Sequence, residues 1–206
     1  MPPNSTMHCD TIADEIASRL EPAIQYVPDG FFNSFAFTQT GNNLTHPLTW
    51  GILARLLWDV PHIAQVGIDV RINQHGIKFQ PDLVGYSEDG SMVVFLDYES
   101  PNSSDARIPG KDVDAFIAWR DASGADVPYV IITTLPDCPA PDWELRYTSS
   151  DFYNSGFGGQ GGVLRRNPCL FWYNYYYGEF AKRRMEGITF LNISGKTVRR
   201  KYPDTK

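Results

Sequence analysis

The chain has 206 residues, 42% hydrophobic and 20% charged, enough to bury a core and too apolar to remain disordered. No apolar run reaches the length that spans a bilayer, and MPPNSTMHCDTIADEI at the N-terminus has neither the basic start nor the apolar stretch of a secretory signal. The net charge of −6 argues against a polyanion partner, but ten of the 18 Lys/Arg and only three of the 24 Asp/Glu lie beyond residue 164, an asymmetry that marks either a nucleic-acid-binding segment or a solvated basic tail.

In chain order, Ile12, Ile16 and Leu20 are spaced four apart, which predicts a short amphipathic helix over 11–20 ending near Pro22. PLTWGILARLLWD, from Pro47, predicts a strongly apolar helix that starts at the proline and stops before Pro61. QVGIDVRI (65–72) alternates apolar and polar residues and reads as a half-buried strand. After the turn Asn73-Gln74-His75-Gly76, a second strand is expected over about 77–87, and a third, MVVFLDYE, over 92–99. The loop SPNSSDARIPG leads to a helix, KDVDAFIAWR, and a strand at 128–134, PYVIITT. Prolines at 136, 139 and 141 mark a loop, 154–162 is glycine-rich, 169–186 is aromatic and reads as a helix, and a last strand, ITFLNIS, precedes a basic tail. The whole forms one α/β domain.

Glu88-Asp89-Gly90-Ser91 carries the strongest hairpin signal in the chain. With Asp89-Gly90 as a two-residue turn, Glu88 pairs with Ser91 and Asp82 stands opposite Asp97, their side chains about 5 Å apart. Glu99, two residues on, shares that face. Like charges directly opposed on a sheet are destabilising. A hard divalent cation offsets them, and Mg²⁺ takes carboxylates together with waters and substrate phosphate. Solvated surface acids are the plain alternative.

Pro81-Asp82 and Asp97-Tyr98-Glu99 resemble the two elements of the PD-(D/E)xK nuclease superfamily, with Glu99 where lysine is usual. The resemblance covers about 47–134 and implies a restriction-endonuclease-like core of helix, three-strand meander, helix and strand. Added N-terminal elements and a C-terminal aromatic and basic elaboration (about 140–206) flank that core. It further implies that Asp82, Asp97 and Glu99 hold Mg²⁺, with Mn²⁺ as a substitute, and that the chain is an Mg²⁺-dependent endonuclease cutting phosphodiester bonds in DNA. Lys111, opening the helix after the third strand, is either the compensating catalytic cation or a surface lysine beside Asp112 and Asp114. Arg107 in the preceding loop, with Arg199, Arg200 and Lys201 in the tail, are candidate phosphate contacts. Because other members of the superfamily bind without cutting, a catalytically inactive nucleic-acid- or protein-binding module is the alternative reading.

Other constellations carry less. The four histidines show no zinc spacing, 156–162 lacks the Gly-Lys-Ser/Thr of a phosphate loop, and there is no GxSxG elbow. FWYNYYY (171–177) suits a core or a subunit interface, leaving room for a homodimer, better than base stacking. Cys9, Cys138 and Cys169 are scattered and odd in number, as expected of reduced thiols in a cytoplasmic protein without membrane attachment.

Overall fold

The structure, a computed structural model, describes residues 9–27, 39–99, 112–133 and 182–202. Among these are three helices, α1 (Cys9–Ile24), α2 (Gln39–Trp58) and α3 (Asp114–Ser123), and eight strands. The strands are β1 (Gln65–Ile68), β2 (Ile72–Gln74), β3 (Ile77–Phe79), β4 (Leu83–Tyr86), β5 (Met92–Glu99), β6 (Tyr129–Thr133), β7 (Ile188–Ser194) and β8 (Thr197–Tyr202). Six of them form one mixed sheet in the order β1-β4-β5-β6-β7-β8, while β2 and β3 make a separate two-stranded ribbon. Strands β1, β4 and β5 are an antiparallel meander; β6 runs parallel to β5, β7 parallel to β6, and β8 returns antiparallel. Among the described residues, no helix is long and apolar enough to cross a membrane.

Both faces of the sheet are covered, which explains the near-continuous apolar runs of β5 and β6. On one face Ile12, Ile16, Leu20 and Ile24 of α1, with Leu53 and Leu57 of α2, pack against Leu83, Val94, Leu96, Tyr98, Val130, Ile132 and Leu191. On the other, Phe116 and Trp119 of α3 pack with Phe79, Phe95, Tyr129, Ile131 and Phe190. The rings of this second layer meet at centroid distances of 4.9–6.5 Å, edge-on or tilted, the arrangement aromatic pairs prefer.

Several boundaries differ from the sequence expectation. Helix α1 runs on through Pro22, and its C-terminal end is capped from the far end of the chain. There the Lys196 ammonium donates to the carbonyls of Ile24 (2.9 Å), Gln25 (3.2 Å) and Val27, placing a cation where the helix dipole favours one. Helix α2 begins at Gln39, with Pro47 inside it rather than at its start. The lost backbone donor is tolerated because the following residues, led by the buried Leu53, Ala54 and Leu57, lock the helix onto the sheet. The expected strand over 65–72 stops at Ile68, since Asp69 takes a left-handed conformation (φ 53°) and turns the chain off the sheet. The strand expected over 77–87 is broken at Gln80-Pro81-Asp82, where proline has no hydrogen to donate to a ladder.

The hairpin between β4 and β5 also differs. Its loop is Glu88-Asp89-Gly90, closed by Ser87 N–H donating to the Ser91 carbonyl (2.9 Å), with Gly90 left-handed (φ 82°). Hydrogen bonds from the Ser87 hydroxyl and the Ser91 N–H hold the Asp89 carboxyl below its usual range. Tyr86 pairs with Met92, and a bulge then restores the register, so Gly85 faces Val94, Val84 faces Phe95 and Leu83 faces Leu96. Asp82 therefore stands opposite Asp97 even though the turn is a residue longer than expected.

The segment expected to end a helix at Lys182-Arg183-Arg184 bends at Arg183, has no regular structure over 184–185 and turns at 186–187. Arg183 makes a two-pronged ion pair with Asp114 (2.6 and 3.0 Å), and Arg184 pairs with Asp121, both on α3. The basic tail is not a tail over 197–202 but the edge strand β8, which carries Arg199, Arg200 and Lys201. Deleting 196–206 would therefore strip a strand and the α1 cap, and would not isolate any affinity for phosphate. The expected loops at 100–110 and around prolines 136, 139 and 141, the glycine-rich stretch 154–162 and the aromatic run 171–177 lie outside the described residues.

Two glycines test the packing. A methyl group on Gly85 would lie 2.8 Å from Ile63 Cδ1 and 2.9 Å from Val94 Cγ1, whereas one on Gly51, in exposed α2 backbone, would meet nothing within 4 Å. Gly85→Ala is expected to destabilise by about 1–3 kcal/mol and Gly51→Ala to stabilise by about 0.5–1 kcal/mol. Denaturant titration of both variants checks this, and equal effects would contradict the packing described.

Candidate metal centre

Strands β5 and β6 end on the same side of the sheet, and α3 enters there. Alternation along β5 turns Phe95 into the α3-side core and carries Asp97 and Glu99 along the same face. Asp112 lies in a wide turn at 112–113 that leads into α3. Each of these three residues offers a carboxylate oxygen, and the three oxygens lie within 4.8 Å of one another. Asp97 is 4% exposed and Asp112 5%, while Glu99 is half-buried.

Asp97 is anchored through both of its carboxylate oxygens. Its Oδ1 accepts the Asp82 backbone N–H (2.6 Å) and its Oδ2 the Tyr129 hydroxyl. Burial pushes the Tyr129 phenol well above its ordinary pKa; the charges of Asp97 and Asp112, the hydrogen bond to Asp97 and the charge of Glu99 add to this. It therefore stays protonated and remains a donor.

Asp82 joins the two strands as well. It is half-buried at the bend before β4, and its Oδ2 accepts the Tyr98 N–H of β5 (2.8 Å). The two aspartates thus clamp the meander reciprocally, each carboxylate on the other strand's backbone. Asp82 is linked to the cluster through Asp97, and the close trio of carboxylates is Asp97, Glu99 and Asp112. The sequence reading passed over Asp112 for its neighbour Lys111. An acid at the start of the helix that follows an acid-bearing strand was the available signal.

The polar row continues beyond the acids. Glu99 pairs with Thr133, and Thr133 with Asn192. Thr133 and Asn192 are fully buried, and the Thr133 hydroxyl donates to Asn192 Oδ1 (2.9 Å). Sequence reading missed this pair, because both residues sit in runs that otherwise read as apolar strand. Lys111 and Arg107 lie outside the described residues, and Arg199, Arg200 and Lys201 are placed only as members of β8.

The donor set fits a hard cation. Three carboxylates this close in a poorly solvated site repel one another, and all their donor atoms are oxygens, which suit Mg²⁺ or Mn²⁺. No protein-family model, curated protein or solved structure matches the chain.

Removing the Tyr129 hydroxyl should expose its contribution. Tyr129→Phe is expected to lower stability by about 1–3 kcal/mol in chelator at neutral pH, because a buried carboxylate loses a donor. The raised phenol pKa has a definite sign. Its stabilisation is complete below the unfolded phenol value near 10 and is lost as pH climbs from there toward the folded value. The wild type should lose stability above about pH 10, and Tyr129→Phe should lose less. Melting curves over alkaline pH measure this, and parallel profiles would contradict the assignment.

Proposed function

We propose that the chain is a metal-dependent endonuclease-like hydrolase of phosphodiester bonds, acting on DNA, with a restriction-endonuclease-like core. The observation that carries this reading is the convergence of Asp97, Glu99 and Asp112 within 4.8 Å at the end of the parallel strands. The order around it gives support: helix α2, the meander β1-β4-β5, helix α3, then β6 parallel to β5.

In this reading Asp97, Glu99 and Asp112 hold Mg²⁺, and Asp82 positions Asp97 through its N–H. Bound there, the cation would polarise a phosphate and acidify a water. The Tyr129 hydroxyl and the Asp82 N–H fix both oxygens of Asp97, so little reorganisation of that ligand is left. Glu99, the most solvent-accessible of the three, is suited to orient or deprotonate a water. Lys111, one residue before Asp112, is the proposed cation for the charge that builds up on the phosphate. Arg107, Arg199, Arg200 and Lys201 remain proposed backbone contacts.

A catalytically inactive, binding-only member is the second reading, favoured by Glu99 in the place of the usual lysine. Plasmid nicking with Mg²⁺ or Mn²⁺ separates the two. An enzyme should nick, and Asp97→Asn and Asp112→Asn should each lower the rate by at least on the order of a hundredfold. Full activity in Asp112→Asn would sink the ligand set. A wild type that binds metal and never nicks would select the binding-only reading.

A further inference from the structure

The β2–β3 ribbon is the second feature that converges on the site. Ile72 pairs with Phe79, Asn73 with Lys78 and Gln74 with Ile77. His75 (φ 54°) and Gly76 (φ 76°) form the two-residue turn, both left-handed as a type I′ hairpin requires. One face is fastened to the body of the protein. Ile72 and Phe79 are buried in the α3-side core, Gln74 Oε1 accepts the Trp119 indole N–H (3.1 Å), and the Phe79 ring stands edge-on to Tyr129 at 5.4 Å.

The other face is solvent-exposed and has no apolar side chain. Arg71, Asn73, Lys78 and Gln80 occupy it, with His75 at the tip, and all five are exposed. At the base, Gln80 donates to the Asp69 carboxylate (2.5 Å), and the Asp69 N–H donates to the Asp82 carbonyl (2.7 Å). The ribbon therefore springs directly from the residue that positions Asp97.

We infer that this ribbon is the element that enters the major groove of a DNA duplex. Resting on the proposed function, the inference names the surface that would hold the substrate. A two-stranded ribbon fits the major groove of B-form DNA, and arginine, lysine, asparagine and glutamine are the side chains that reach phosphates and base edges there. With Arg71 and Lys78 against the single acid Asp69 at its base, and no exposed apolar group, this face suits a polyanion and not an apolar partner. The anchoring of the opposite face means that little order has to be acquired on binding.

The test is binding of the full chain to a fluorescently labelled DNA duplex in EDTA, read by anisotropy over a range of salt. Arg71→Ala with Lys78→Ala is expected to weaken binding about tenfold or more and to reduce the salt slope by about two. Arg19→Ala with Arg55→Ala removes the same charge from α1 and α2 on the opposite face of the sheet, and should change neither. Arg71→Lys with Lys78→Arg should retain the slope, which separates charge from misfolding. Duplex RNA should bind more weakly, because its major groove is too narrow for a ribbon. Equal effects of the two alanine pairs, or a wild type that binds no DNA duplex, would overturn the inference. Because the readout needs no cleavage, the two claims fail separately. Binding through the ribbon without nicking refutes the hydrolase alone, and nicking with unchanged affinity in Arg71→Ala with Lys78→Ala refutes the ribbon alone.

Discussion

The Asp97 carboxylate is held on one oxygen by the Tyr129 hydroxyl and on the other by the Asp82 N–H. Much of the structure follows from the need to keep that buried charge in place. Tyr129 is rigid because it is wedged in the aromatic layer of Phe79, Phe95, Phe116 and Trp119. Asp82 is rigid because the meander register sets it opposite Asp97 and because its own carboxylate grips the Tyr98 N–H. Glu99 and Asp112 then bring two further acids to the same point. A lone buried charge needs donors, and three carboxylates close together repel one another.

Location and chemistry agree. In α/β sheets, ligands bind beyond the carboxyl ends of parallel strands, which is where Asp97 and Glu99 leave β5 and Thr133 leaves β6. Three of the C-terminal basic residues hold the fold together. Arg183 and Arg184 lace the segment before β7 to Asp114 and Asp121 of α3, and Lys196 closes the end of α1. Part of the C-terminal charge asymmetry is thus structural. The exposed cations of the ribbon, Arg71 and Lys78, lie in a part of the chain whose net charge gave no hint of them.

The legible parts of the sequence were those where local pattern and tertiary context agree. The runs of β5 and β7 were readable to the residue, because each is an apolar stretch bounded by turn chemistry. The opposition of Asp82 and Asp97 was also readable, although for an incomplete reason. The loop is longer by one residue, and the bulge before Gly85–Val94 cancels the slip. What was not legible depended on backbone exceptions. The left-handed Asp69 splits one expected strand and Pro81 another, and together they release the ribbon from the sheet. Asp112 was hidden because its position depends on how α3 returns across the sheet, which spacing along the chain does not encode.

Hydrolysis at this site requires a cation in the space between Asp97, Glu99 and Asp112. The most direct measurement is anomalous diffraction from crystals soaked in Mn²⁺. The expected result is a manganese peak within about 2.0–2.4 Å of an oxygen from each of the three carboxylates, with Asp82 still bonded to Tyr98 N–H. A map with no peak among these residues at saturating Mn²⁺, or with the metal bound elsewhere while the three carboxylates keep their places, would contradict it.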